Sequence, residues 1–284
     1  MHVGDQPTAD LPVAVFDSGV GGLTVLHELL VSLPAEDYLY LGDTERFPYG
    51  SRSPDELRQF SAEIAAHLLE TGVKLLVIAC NSATAAAVTD LRERLKRAGS
   101  EVGVIGVIEP ESVLAAAATR NGRIGLLATS ATVASGAYEA AVRGADPHTR
   151  LTSVACPDLA PVIQAGSPFD AEVVAMVRSY CEPLKAADVD TVILGCTHYP
   201  LVRPLLQRSL GADVEIITSG DAVARRVEHA LSIRDLLKPR SGAEGRYQFS
   251  CTGDPEAFRE VGERFLQLPL GSVERTNLDS GDLT

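Results

Sequence analysis

An α/β fold with mainly parallel sheets is what this sequence predicts, and three observations predict it. Short β-branched runs alternate with helix-patterned stretches along the chain. Most of those runs are apolar at every position rather than at every second one, the pattern of strands buried on both faces. Hydrophobic residues make up 45% of the 284-residue chain, enough for a large core that needs no disulfide staples.

The run VAVF (13–16) opens the series. Its loop, FDSGVGGLTV (Phe16–Val25), sets Asp17 and Ser18 at the strand end and lets backbone approach a ligand at Gly19, Gly21 and Gly22. It matches neither glycine-rich phosphate fingerprint, and simple capping by Asp17–Ser18 is an equal reading. YLYL (38–41) runs into LGDTERFPYGSRS (Leu41–Ser53), where the Pro48-Tyr49-Gly50 turn offers a phenol and backbone groups or is a plain turn. KLLVIA (74–79) ends at Cys80, and Asn81 and Ser82 are suited to start the helix behind it. Val88, Leu91 and Leu95 share one face of that helix, and Gly99 stops it.

VGVIGV (102–107) and RIGLLA (123–128) come next. After the second, Thr129 and Thr132 stand at a helix start that suits a carboxylate or mere capping. LTSVA (151–155) precedes DTVILG (190–195), which ends at Cys196 with Thr197 and His198 behind it. DVEII (213–217) and RYQFS (246–250) complete the strands. PEAFREVGERFLQ (255–267) reads as a helix with Pro255 in its first turn. Loops at Gly99–Ser100 and at TSGDA (218–222) divide the chain into 1–99 plus 218–284 as one lobe and 100–217 as the other.

Acidic residues number 38 against 25 basic ones, a net charge of −13. That balance argues against direct nucleic-acid binding. The densest basic cluster, LRERLKR (Leu91–Arg97), is broken by Glu93 and reads as a solvated helix face. No apolar run reaches the roughly 18–20 residues that span a bilayer. The opening MHVGDQPTADLP has no cationic apolar leader, so no signal peptide is expected. The polar tail TNLDSGDLT is expected to fray. Five cysteines without C-x-x-C spacing point to a reducing, cytoplasmic setting rather than to disulfides.

Cys80 and Cys196 repeat one device: a buried strand, a cysteine at its carboxyl end, then small polar residues. Ligands of open α/β sheets sit at such strand ends. A free thiol titrates near about 8.5. A helix start contributes roughly 0.3–1 kcal/mol, less than one pKa unit, so a further cation or donor is needed. His198 is the nearest, and a bound ammonium group is another. Cys156, Cys181 and Cys251 read as small buried hydrophobes.

The blocks FDSGVGGLTV, YLGDTERFPYG, ACNSATA and GCTHYPL, in this order, resemble the glutamate racemase family of the cofactor-independent aspartate/glutamate racemase superfamily. The resemblance implies two α/β lobes with the active site in the cleft between them. It implies Cys80 and Cys196 as the catalytic pair, Asp17 and His198 as their assistants, and Ser18, Tyr49, Gly50, Asn81, Ser82, Thr129, Thr132 and Thr197 along the substrate with Asp17 and His198. It implies glutamate as substrate, neither pyridoxal phosphate nor metal, a cytoplasmic homodimer, and D-glutamate for peptidoglycan as product. Two positions depart from the family: Ser82 stands where threonine is usual, and Gln164 where many members carry glutamate.

The repetition of the cysteine device then has a chemical reason. Racemisation takes the α-hydrogen from one face and returns a proton to the other. Two opposed groups, one thiolate and one thiol, exchange states each turnover. By the resemblance, Cys80 deprotonates D-glutamate and Cys196 deprotonates L-glutamate. Pyridoxal phosphate requires a lysine, and none of Lys74, Lys96, Lys185 and Lys238 lies in a strand-end loop. The competing readings are an aspartate racemase, a cysteine-dependent amidohydrolase with His198 as base, a zinc module on Cys80, Cys196 and His198, and a non-catalytic binding protein.

Overall fold

The computed structural model describes residues 7–166, 170–239 and 243–278. The expectations for the first six and last six residues lie outside these. Ten strands are described: β1 (Val13–Asp17), β2 (Tyr38–Gly42), β3 (Leu75–Ile78), β4 (Gly103–Gly106), β5 (Arg123–Ala128), β6 (Arg150–Ala155), β7 (Thr191–Gly195), β8 (Glu215–Ile217), β9 (Tyr247–Cys251) and β10 (Val273–Arg275). The helices of the first part are α1 (Leu23–Ser32), α2 (Pro54–Thr71), α3 (Asn81–Arg97), α4 (Ile108–Ala118), α5 (Ser130–Ala134) and α6 (Ala137–Ala145). Those of the second are α7 (Leu159–Ala165), α8 (Ala171–Ala186), α9 (Arg203–Leu210), α10 (Ser219–Ser232) and α11 (Pro255–Leu266).

The strands form two sheets, in the orders β10-β9-β2-β1-β3-β4 and β6-β5-β7-β8. Every described pairing is parallel. Alternation explains the continuous apolar runs. Val13, Val15, Leu75 and Val77 face one core cluster, while Ala14, Phe16, Leu76 and Ile78 face another. The first of these clusters also holds Leu126, Ile193 and Leu194 of the second sheet, so one core joins the two sheets.

Sheet membership moves one boundary. Gly103–Gly106 pairs with β3, so the chain changes sheet after β4 and not at residue 99. A strand of four small apolar residues carries no mark of which sheet it will join. β10 is absent from the sequence reading because Val273 is its only apolar residue; Glu274 and Arg275 are exposed, as an edge strand allows. The helix after Cys80 ends where expected, with Gly99 at φ +70°. Pro255 opens α11, with Asp254 as its cap. Among the described residues, no helix is long and apolar enough to cross a membrane.

Candidate active site

Parallel strands put all their carboxyl ends on one side, and here those ends from both sheets border a single cleft of about 280 Å³. The first sheet contributes Ser18 after β1, Tyr49 and Gly50 after β2, and Cys80, Asn81 and Ser82 after β3. The second contributes Thr129 after β5 and Cys196, Thr197 and His198 after β7. Asp17 and Thr132 stand one layer behind the lining. Asp17 is fully buried, accepts from Gly19 N–H at 3.1 Å and lies 3.5 Å from Thr197 Oγ1. Thr132 touches Ser82 and Thr129 at 3.1 and 3.0 Å. With the Ser82–Thr129 contact at 2.9 Å, the three hydroxyls form a triangle joining the two sheets' loops.

Cys80 is the N-cap residue of α3. Its sulfur receives the Ala83 backbone N–H and the Ser18 hydroxyl and N–H, which favour a thiolate. Burial outweighs them and, with the neighbouring Asp17 carboxyl, pushes the Cys80 thiol up to about 12. Burial likewise drives Cys196 well above the ordinary thiol range, against the His198 backbone N–H; charge on Cys80 and on Asp17 adds to the rise. Cys80 is thus near enough to Cys196 for its charge to raise the Cys196 thiol. Burial raises Asp17 to about 6, despite N–H donors at Gly22, Gly19 and Ser18.

His198 is not the cation that the sequence reading sought. Burial pushes it down to about 3, so the ring is neutral near pH 7. Its Nε2 lies 2.9 Å from Gln164 Oε1, and its Nδ1 lies 3.9 Å from Cys196 Sγ. A neutral imidazole has one N–H. The amide oxygen can only accept, so Nε2 carries the hydrogen and Nδ1 is bare toward the thiol. Phe47 and Phe265 flank the ring, with centroids 5.6 and 5.1 Å away.

Two further local expectations change. The Tyr49 phenol is not offered to a ligand: it donates to Asp43, which also accepts from Arg46 Nε at 2.6 Å and Thr252 Oγ1 at 2.8 Å. That network anchors the loop carrying Gly50. The glycines of FDSGVGG make room for neighbouring side chains, Gly21 for those of the loop after β7 and Gly22 for Asp17. A Cβ on Gly21 would stand 2.5 Å from His198 Nδ1, and one on Gly22 would stand 2.5 Å from Asp17 Cβ.

Sequence reasoning missed Phe47, Pro157 and Asp158, which also line the cleft. Pro157 and Asp158 follow β6, a strand legible in the sequence, so the strand-end rule could have found them; no cysteine or motif block drew notice to that loop. Gln164 drew notice only as a departure, and the Glu111–Tyr138 pair behind Asn81 gave no signal. None of the described cleft-lining residues is lysine or arginine. A ligand's carboxylates therefore meet hydroxyls and the N–H groups of helix starts. Lys74 is buried against Glu36 and the carbonyls of Ala9 and Leu236, and Lys238 binds Asp37. Among the described residues, no group of three His, Cys, Asp or Glu has metal-holding geometry.

Two parallel sheets facing each other through their carboxyl ends, with a cysteine from each in one buried cleft, define a class: two-sheet α/β proteins with a paired-cysteine cleft sized for a small ligand. The chain belongs to the Asp/Glu/Hydantoin racemase family, whose model matches residues 22–227, and within it to the glutamate racemases. It is 46% identical over 266 residues to the glutamate racemase of Beutenbergia cavernae, covering 91% of this chain and 90% of that protein. The crystal structure of glutamate racemase isoform RacE1 from Bacillus anthracis aligns with a TM-score of 0.89 at 38% identity, over 94% of this chain and 98% of that one. The Francisella tularensis glutamate racemase, crystallised with D-glutamate, aligns at 0.87 and 32% identity, over 96% and 100%.

Proposed function

We propose that this chain interconverts L- and D-glutamate by two-base proton transfer between Cys80 and Cys196, supplying D-glutamate for peptidoglycan. The observation that carries the reading is the presence of both cysteines in one buried cleft, each at a strand's carboxyl end in a different sheet.

The cleft by itself keeps both thiols protonated, because Cys80 is raised to about 12 and Cys196 well above its usual range. The substrate's own ammonium group is the cation that changes this. At about 4 Å and an effective dielectric near 20, it favours a thiolate by about 4 kcal/mol. That pulls the Cys80 thiol down, toward the thiolate. The Ser18 and Ala83 donors are already aimed at the sulfur. For D-glutamate, the Cys80 thiolate takes the α-proton. The electron pair left on the α-carbon spreads into the α-carboxylate, held by hydroxyls and helix-start N–H groups. Cys196 delivers its proton to the opposite face and becomes the thiolate. The reverse direction exchanges the two roles.

Asp17 works beside Cys80, and His198 beside Cys196. The bare Nδ1 of His198 accepts the Cys196 S–H and so orients it. The reaction in this reading uses only the chain's own groups and the substrate, in a cytoplasmic homodimer; light scattering on the purified chain tests the assembly. The function is tested by chiral chromatography on L-glutamate and L-aspartate without added cofactor. D-Glutamate is the expected product, with deuterium at the α-carbon in D₂O and no ammonia. Ammonia release points instead to an amidohydrolase, and faster turnover of aspartate to an aspartate racemase.

A further inference from the structure

The last turn of α11 reaches across the seam between the two sheets in a way no step above uses. α11 packs on α1, β9 and β10, so it belongs with the first sheet. Its end is tied down there: His27 Nδ1, on α1, lies 2.7 Å from the Leu266 carbonyl. Arg264 and Phe265 stand side by side in this turn. Phe265 is fully buried and meets the His198 ring edge-on, with centroids 5.1 Å apart. Arg264 Nη2 donates to the backbone carbonyl of Gln164 at 3.0 Å. Gln164 is the residue whose side-chain amide lies 2.9 Å from His198 Nε2. Two neighbouring residues of one first-sheet helix therefore hold both members of a pair that belongs to the second sheet.

The end of α7 needs such a partner. α7 has seven residues, too few to be stable by itself. The carbonyls of its last turn have no acceptor role within the helix. Gly166, at φ +101°, turns the chain, and its N–H takes the Ile163 carbonyl. The next carbonyl, that of Gln164, goes to Arg264, a cation at the negative end of the helix. The guanidinium passes so close to the turn that a Cβ on Gly166 would stand 2.8 Å from its Nη1. The same short helix supplies Ala160 and Pro161 to the cleft wall. Several rotatable bonds separate a glutamine amide from its backbone, so the contact with His198 keeps one geometry only while that backbone is held.

We propose that Arg264 is a positioning residue: from the first sheet it pins the Gln164 backbone, and through the Gln164 amide it holds the imidazole of His198 in one orientation and one tautomer beside Cys196. Its effect on turnover rests on the racemase reading above; its effect on His198 does not. Arg264 is not among the residues that line the cleft, so it acts only through its neighbours. Phe265 limits the tilt of the ring from the same helical turn.

Two readouts keep the proposal apart from the racemase reading. The first needs no activity. An NMR spectrum of the imidazole nitrogens, with His198 assigned from His198→Gln, reports the tautomer. Wild type should show a single tautomer for His198, and Arg264→Ala an exchanging mixture of two. Arg264 is exposed, so its removal leaves the core intact. The second readout is glutamate racemisation. In Arg264→Ala, kcat should fall by about threefold to tenfold, the loss of one hydrogen bond, with KM within about twofold of wild type. Arg264→Lys, which keeps the charge and a donor, should recover most of both effects. Arg264→Ala added to Gln164→Ala should change kcat by no more than about twofold, because the amide through which it acts is gone. Arg259→Ala is the control, since that guanidinium pairs with Glu256 on the same helix. If wild type does not racemise glutamate, the racemase reading falls, and the imidazole spectra still decide whether Arg264 fixes His198. Unchanged imidazole signals or an unchanged kcat in Arg264→Ala overturn the proposal. A full further loss of rate in the double variant overturns it too, because Arg264 then acts by another route.

Discussion

The imidazole of His198 and the side-chain amide of Gln164 meet at 2.9 Å, Nε2 to Oε1, and this contact decides what His198 can do for Cys196. It ties up the one hydrogen of a neutral ring and leaves the nitrogen nearer the thiol bare. With burial holding the ring down to about 3, the wild-type rate profile should contain no ionisation of His198 above about pH 4.

Replacing Gln164 by glutamate should change that. A carboxylate at the same distance stabilises the imidazolium and raises the histidine pKa. The expected outcome is a new limb in the pH dependence of kcat/KM, at a pH well above 3 and absent from wild type. Rate profiles of both proteins between pH 5 and 9, with L-glutamate as substrate, check it.

The cysteine pair makes the sharpest demand. Removing either Cys80 or Cys196 as alanine should lower racemisation by about 10²–10⁴-fold or more in both directions, because each turnover needs one sulfur on each face. Circular dichroism of glutamate solutions reads the loss directly. Near-wild-type turnover by either variant overturns the two-base assignment.

Gly21 tests the contact between loops from the two sheets. An alanine methyl at this position would press on Thr197 and His198, both in the loop after β7. Overpacking of this kind costs about 1–3 kcal/mol. The expected phenotype of Gly21→Ala is a lowered melting temperature together with a kcat loss larger than the KM change. Gly144→Ala is the control, as nothing lies within 4 Å of a Cβ there.

Asp17 should show a stability cost of function. Its carboxyl is raised from 3.8 to about 6 by burial, so the folded protein binds that proton more tightly than the unfolded chain does. The stabilisation from that proton is fully present below pH 3.8 and is lost as pH rises through 6. The loss approaches about 3 kcal/mol above that window. Asparagine never ionises. Asp17→Asn should therefore gain stability relative to wild type as pH rises from 4 to 7.5, while losing racemase activity. Urea unfolding at several pH values measures the first effect, and a constant stability difference across that range overturns it.

The sequence by itself determined the strands with two buried faces, the strand-end positions of Cys80 and Cys196, the helix stop at Gly99 and the helix start at Pro255. These follow from local rules: apolar continuity, capping chemistry and the conformational freedom of glycine act within a few residues. Four ordered motif blocks carried the family as well. Tertiary structure alone decided the rest. That β4 joins the first sheet is a choice between partners distant in sequence. That His198 is a neutral acceptor, and Tyr49 a phenol committed to Asp43, depends on burial and on groups brought in from other loops. That the Asn81 amide meets Tyr138 and Glu111 depends on side chains drawn from two other helices. Charge state and hydrogen-bond polarity are properties of an enclosed environment, and a linear pattern does not contain the enclosure.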